Sequence, residues 1–178
     1  MRVVIQRVSQ ASVSIDGKVK SSINQGFMIL LGVGNNDGPE DIQWLVRKIV
    51  ALRIFDDADG VMNLSIKDID GEILVVSQFT LMASCKKGNR PSWLNAAPHS
   101  ISIPLYEQFC KELSAALGKP VGTGEFGAMM DVSLVNNYQT TFHHQGSPIL
   151  PSQPLLFHQI MHQLHTETHP LCCEMPQH

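Results

Sequence analysis

A continuous apolar run at residues 27–33, closed by Gly32 and Gly34, limits the possible folds of this chain more than any other feature. It is too short for an ordinary helix. It also lacks polar alternation, so both of its faces need cover and it reads as a buried central strand. A second run of this kind, Ile73-Leu74-Val75-Val76, lies within residues 72–81. Between the two, Asp37-Gly38-Pro39-Glu40 has the proline and acid of a first helical turn. Ile42, Leu45, Val46, Ile49 and Val50 follow at helical spacing and form one apolar face. Buried strands that alternate with an amphipathic helix predict an α/β domain.

The flanking segments fill in that domain. Val3, Ile5, Val13 and Ile15 mark a strand over residues 3–15. Asp16-Gly17 is a two-residue turn signal, and residues 18–23 make the return strand, so part of the sheet is antiparallel. Residues 56–60 read as a turn. Pro104 is expected to open a second helix, with Tyr106, Phe109, Leu113 and Leu117 on one side and Gly118 and Pro120 at its end. Residues 130–135 read as the last strand, in which Val132 and Leu134 alternate with Asp131 and Ser133. A chain of 178 residues with 43% hydrophobic and 16% charged residues suits one globular domain with an extension. The expected fold is a single α/β domain over residues 1–142, with a mixed or antiparallel sheet and packed helices.

Several classes are disfavoured. No run of ~18 apolar residues suggests a membrane helix. The first residues, Met1-Arg2-Val3-Val4-Ile5-Gln6-Arg7, start like a strand and lack the sections of a signal peptide. Cys85, Cys110, Cys172 and Cys173 form no CxxC pair, so a reducing cytoplasm is the expected compartment. A net charge of −3 argues against a protein that tracks a long duplex, so any contact with RNA should be local.

The text changes after Asp131. Residues 132–178 hold no Lys, Arg or Asp but seven of the eight histidines, which marks residues 143–178 as a tail of different character. His158, His162, His165 and His169 fall on one helical face opposite Leu156, Ile160 and Leu164. Histidines at i, i+4 can chelate a divalent ion, but a weakly ordered tail between Pro154 and Pro170 explains the same text, and no metal site is assigned. A change of reading frame near residues 137–143 is a further source of such a break.

The chemistry-bearing cluster is Ser77-Gln78-Phe79-Thr80-Leu81, at the end of the second apolar run. Thr80 could be a nucleophile or a hydrogen-bonding positioner. The backbone N–H groups near Phe79 and Thr80 could stabilise an oxyanion. A solvated strand end has the same composition, so the cluster alone does not decide. A second cluster, Lys86-Lys87-Gly88-Asn89-Arg90, could clamp phosphates or form a solvated turn.

In its wider text the pentapeptide at 77–81 resembles the signature of D-aminoacyl-tRNA deacylases. Gln6-Arg7-Val8 with Ala11-Ser12-Val13, Arg53-Ile54-Phe55, Met62-Asn63 and the basic cluster through Pro91-Ser92 match the family in order. So do Phe126-Gly127-Ala128 and Val132-Ser133-Leu134-Val135-Asn136. The resemblance implies a homodimer without metal or organic cofactor. It implies cleavage of the ester between a D-amino acid, and in some cases glycine mischarged on tRNA-Ala, and the terminal adenosine of tRNA. Thr80, Gln78 and Phe79 would be catalytic, with the substrate's ribose 2′-hydroxyl able to help activate water. Ser77, Met62, Asn63 and Arg7 would bind substrate, and Lys86, Lys87 and Arg90 would hold the tRNA acceptor end.

The chain departs from the family in two places. Where the family reads Asn-Asp-Gly-Pro-Val-Thr, this chain reads Asn136-Asn137-Tyr138-Gln139-Thr140-Thr141. The family's Gly-Pro pair has a cis bond, and its carbonyls enter the partner subunit's pocket to exclude L-amino acids. A cis bond costs ~0.5–1 kcal/mol before proline and ~2.5–4 kcal/mol elsewhere, so Tyr138-Gln139 is expected to be trans and the chiral filter altered. The second departure is Ala83-Ser84-Cys85, where the family has an acid and a threonine. The rival reading is a non-catalytic relative that keeps the dimer fold and weak tRNA binding.

Overall fold

A computed structural model of the chain describes residues 1–86 and 88–145, with side chains described to residue 137. Compactness separates Met1–Ser147 from Pro148–His178. The expected histidine face and the proline-bounded tail therefore lie outside the described residues, as does Lys87.

The first unit contains β1 (Arg2–Ile15), β2 (Lys18–Ile23), β3 (Gly26–Gly32), α1 (Pro39–Ala51), β4 (Phe55–Asp56) and β5 (Met62–Leu64). Next come β6 (Glu72–Ser77), a 3-10 turn (Phe79–Met82), α2 (His99–Leu117), β7 (Gly122–Thr123) and β8 (Asp131–Gln145). The main sheet runs β2-β1-β3-β6-β7, with β8 on the other edge of β1. β1 pairs antiparallel with β2, β3 and β8, whereas β3–β6 and β6–β7 are parallel. β4 and β5 form a separate antiparallel hairpin.

The apolar runs behave as their composition requires. Phe27, Ile29, Leu31, Ile73 and Val75 face α1 and α2, where they pack with Ile42, Leu45, Ile49, Phe109 and Leu113. The alternate residues Met28, Leu74 and Val76 turn to the opposite face and meet Val8, Ala11, Val13 and Ile23. β1 serves both faces because it changes phase. Val3 and Ile5 point to the helical core, but Val8, Ala11 and Val13 share the second cluster. The β1–β8 register shifts between Val8 and Gln10, and Ser9 and Gln10 are both exposed there. One extra residue at such a bulge reverses the in–out alternation.

Three expectations are revised. The second buried strand stops at Ser77, because the chain turns into the 3-10 turn before residue 81. Pro104 lies inside α2, which begins at His99 after Pro98. The added first turn is held by the N–H groups of Ile101 and Ser102, both donating 2.9 Å bonds to the Pro98 carbonyl. Pro104 sits on the exposed side, where the ladder bond it cannot make falls at the exposed Ser100. The last strand runs to Gln145, since its second half pairs with Arg2 to Gln6 of β1.

A partly buried ion pair ties the sheet to the small hairpin. Arg7 on β1 is 3% exposed, and its Nη1 donates to the Ile54 carbonyl at 2.7 Å while Nη2 meets Asp56 Oδ2 at 2.7 Å. Its guanidinium also lies over the Phe55 ring, 5.2 Å from the centroid, and Phe55 stacks on Phe27 of β3. The Arg7 hydrogen bond holds the Asp56 carboxyl below its ordinary value of 3.8. A carboxylate depressed by folding contributes stability above its unfolded pKa, and that contribution is lost as pH falls through the lower folded pKa. We therefore expect Asp56→Asn to lower the thermal midpoint at pH 7. Its deficit against the parent should shrink only below pH 3.8, in thermal melts taken across an acid series.

Candidate active site at the end of the central strands

The pentapeptide at 77–81 sits where the two parallel central strands end. The β3–β6 ladder closes at Leu31 and Ser77, and the Gln78 N–H then donates to the Leu31 carbonyl at 2.7 Å. The chain turns at once into Phe79–Met82, with Leu81 N–H bonded to the Gln78 carbonyl at 3.2 Å and Ala83 N–H to the Thr80 carbonyl at 3.1 Å. In open α/β sheets the carboxyl ends of parallel strands are where ligands bind, because freed backbone groups and turn side chains converge there.

Two anchors hold the turn. Arg2 Nη1 donates to the Leu81 carbonyl at 2.8 Å, which links it to β1. Gly32 lets it approach β3, since a Cβ at that position would stand 2.9 Å from Leu81 Cβ and 3.0 Å from the Gln78 carbonyl oxygen. Within the turn, Gln78 Nε2 donates a short hydrogen bond to Thr80 Oγ1. The first N–H groups of a 3-10 turn have no partner in the turn itself. Among the described residues, no hydrogen bond takes up the N–H of Phe79 or Thr80. Thr80 is half-buried, and Phe79 is 56% exposed. A hydroxyl paired with Gln78 and two open amides can hold the carbonyl of an ester and the negative charge that develops on its oxygen.

The other expected site residues divide by position. Ser77 is half-buried at the end of β6. Met62 and Asn63 lie on β5, with Met62 46% exposed and the Asn63 carbonyl accepting from Arg53 Nε at 2.7 Å. Arg7, expected at the substrate, donates to the Ile54 carbonyl and the Asp56 carboxylate and so holds the β4–β5 hairpin. Lys86 and Arg90 are exposed and have no ion pair among the described residues. Their loop is pinched at its base, where Ser84 and Ser92 exchange two 2.9 Å backbone bonds. Directly after that pinch stands Trp93, whose ring meets Phe79 edge-on at 5.3 Å and 63°. The sequence reading missed this contact. Its only signal was an aromatic residue next to the Arg90-Pro91-Ser92 text.

Near the altered motif, β8 leaves its ladder with β1. Gln6 pairs with Thr141 and Val8 with Asn136, so Asn137, Tyr138, Gln139 and Thr140 stand outside the pairing. The described residues contain no cis peptide bond. They also contain no group of three or more His, Cys, Asp or Glu placed to hold a metal ion, and no helix long and apolar enough to cross a membrane.

A hydroxyl and two open amides at the carboxyl end of parallel strands could serve an ester carbonyl and its developing oxyanion. Comparison with known proteins makes the class specific. The family model described as D-Tyr-tRNA(Tyr) deacylase matches residues 4–145, which takes in the altered motif. A D-aminoacyl-tRNA deacylase of Bacteroides fragilis is 66% identical over 141 residues, covering 79% of this chain and 94% of the relative. One from Flavobacterium psychrophilum is 58% identical over the same shares. Among solved structures, one titled c-Myc DNA Unwinding Element Binding Protein superposes with a TM-score of 0.79 at 36% identity, covering 83% of this chain and 99% of that one. A probable eukaryotic D-amino acid tRNA deacylase shares the fold at 18% identity and a TM-score of 0.67, over 80% of this chain and 96% of that one. The chain belongs to the D-aminoacyl-tRNA deacylase family.

The close packing at Gly32 makes a direct test of the site. We expect Gly32→Ala to push the Thr80 turn off β3 and lower kcat for ester hydrolysis by about ten- to a hundredfold. The folded protein should survive, as judged by an unchanged far-UV spectrum. An unchanged rate would show that the position of this turn does not matter.

Proposed function

We propose that this chain hydrolyses the ester of D-aminoacyl-tRNA at the turn after β6, releasing the D-amino acid and free tRNA. The observation that carries this reading is the pairing of the oriented Thr80 hydroxyl with the open amides of Phe79 and Thr80. Water attacks the ester carbonyl. The carbon–oxygen bond to the ribose breaks, and the ribose oxygen leaves with a proton. The open amides carry the oxyanion in between.

The Gln78 bond favours a positioning role for Thr80. A side-chain amide N–H donates a proton and cannot accept one. Among the described residues, no carboxylate or imidazole reaches Thr80 Oγ1 to take its proton. With its oxygen accepting from Gln78, the hydroxyl hydrogen is directed outward, toward a substrate oxygen or the attacking water. Activation of that water then falls to the substrate's own 2′-hydroxyl. Ser77, Met62 and Asn63 would line the substrate side, with Arg7 holding the hairpin that carries the last two. Lys86, Lys87 and Arg90 would bind acceptor-end phosphates, consistent with a loop that has cations and no acid in a chain of net charge −3.

The finer parts of the reading concern the partner, the compartment and the chiral filter. A homodimer acting in the cytoplasm fits the family, and the excursion at 137–140 is the segment we assign to reach the partner's pocket. With Tyr138-Gln139 in place of Gly-Pro, that segment would exclude L-amino acids less strictly. Glycyl-tRNA, which lacks a side chain, would also be accepted.

Hydrolysis of D-tyrosyl-tRNA and L-tyrosyl-tRNA, measured side by side, tests this reading. Cleavage of the D form supports it, and cleavage of both shows that the chemistry operates without the chirality check. Cleavage of neither by a folded protein would favour a non-catalytic relative. We expect Thr80→Ala to lower kcat about 10²- to 10³-fold, the range for losing one oxyanion-type donor, without changing the thermal midpoint. We expect Tyr138-Gln139→Gly-Pro to raise the D-over-L rate ratio. No gain in an intact dimer would place the selectivity elsewhere.

A further inference from the structure

Phe79 and Trp93 form an aromatic contact that belongs to neither core cluster. Phe79 is 56% exposed, Trp93 40% and Leu94 86%, an unusual concentration of large apolar surface beside a hydrolytic turn. Burial does not hold Trp93 in place; its neighbours do. The Ser84–Ser92 pair fixes the residue before it. The Trp93 carbonyl accepts from Ala96 N–H at 2.9 Å, and the Leu94 carbonyl accepts from Asn35 Nδ2 at 2.8 Å. The backbone is thus ordered while the ring stays open.

The surrounding charge says what could cover the ring. Between Glu72 and Glu107 the chain has no acidic residue, and the Ser84–Ser92 loop contributes Lys86, Lys87 and Arg90. Exposed aromatic rings on a stretch of chain that also carries the exposed Lys86 and Arg90 suit unpaired nucleotides, because bases stack on the rings and the cations hold the phosphates. Phe79 is bonded directly to Thr80 and its ring contacts Trp93, so Phe79 links the Trp93 ring to the Thr80 turn.

Resting on the deacylase reading above, we propose that Trp93 is a stacking platform for the unpaired 3′ end of tRNA. It takes the base of the nucleotide that precedes the terminal adenosine. Phe79 holds the inner edge of the platform, and Lys86 and Arg90 neutralise the phosphates that lead away from it. The platform grips the nucleic acid and makes no contact with the amino acid, so it affects KM and leaves the D/L choice unchanged.

Fluorescence and kinetics test this separately from hydrolysis. The chain has two tryptophans, so Trp44→Phe leaves Trp93 as the sole emitter. In that background, uncharged tRNA with an intact 3′ end should quench Trp93, and the same tRNA lacking its last three nucleotides should not. Trp93→Ala should raise KM for D-tyrosyl-tRNA about tenfold, within the range for loss of one base–aromatic stack, with kcat retained and Trp93→Phe restoring most of the loss. Equal quenching by both tRNAs, or an unchanged KM in folded Trp93→Ala protein, would overturn the platform while leaving the deacylase reading intact. Failure of the full-length protein to bind tRNA in a filter assay would overturn both. If hydrolysis is absent but the intact 3′ end alone quenches Trp93, the platform stands and only the catalytic reading falls.

Discussion

The parallel pairing of β3 with β6 is the constraint on which the rest of the structure depends. Both strands are covered on both faces, which is why their text is continuously apolar. Their shared end at Leu31 and Ser77 fixes where the backbone must stop pairing and turn. The Thr80 turn is thus placed by the most buried part of the molecule, although the turn itself is half open to solvent. The Gln78–Leu31 bond and the close approach at Gly32 transmit that order over the last few residues. Catalytic geometry that must hold to a fraction of an ångström is better set by a strand end than by a free loop.

β1 has a different task. It borders β3 and β2 along one edge and β8 along the other, so three strands depend on it. Its change of phase near Ser9 and Gln10 lets one strand feed both cores. Buried Arg7 extends its reach to the β4–β5 hairpin. An arginine from a motif shared with a family of enzymes thus ties two parts of the fold together through a carbonyl and a carboxylate.

The acidic chain and its nucleic-acid substrate are reconciled by distribution. Three cations are gathered in one pinched loop, and acids are absent from the surrounding stretch. Only the end of the tRNA needs to be held for its ester to be cleaved. On the reading proposed above, a local basic loop with aromatic surface next to it would do this without a broad positive face, which would also attract unrelated duplexes.

The central strands, α1 and the Asp16-Gly17 hairpin were legible in the sequence because each follows from local pattern: continuous apolar runs, helical spacing and a turn dipeptide. The deacylase signature was legible because it is contiguous. The two-residue strands β4 and β7 were not, since so short a pair is defined by its partner rather than by its own residues. Nor was the reach of α2 back to His99, where a proline that normally marks a helix start lies on an exposed face inside one. The sequence by itself determined which segments must be buried and which residue types could carry the chemistry. Tertiary structure alone decided that Arg7 turns inward, that Gln78 orients Thr80 and that Trp93 meets Phe79. The Arg7 and Trp93 contacts join segments far apart along the chain and form only when the fold brings them together, whereas the Gln78–Thr80 bond spans two residues and depends on the turn imposed at the strand end.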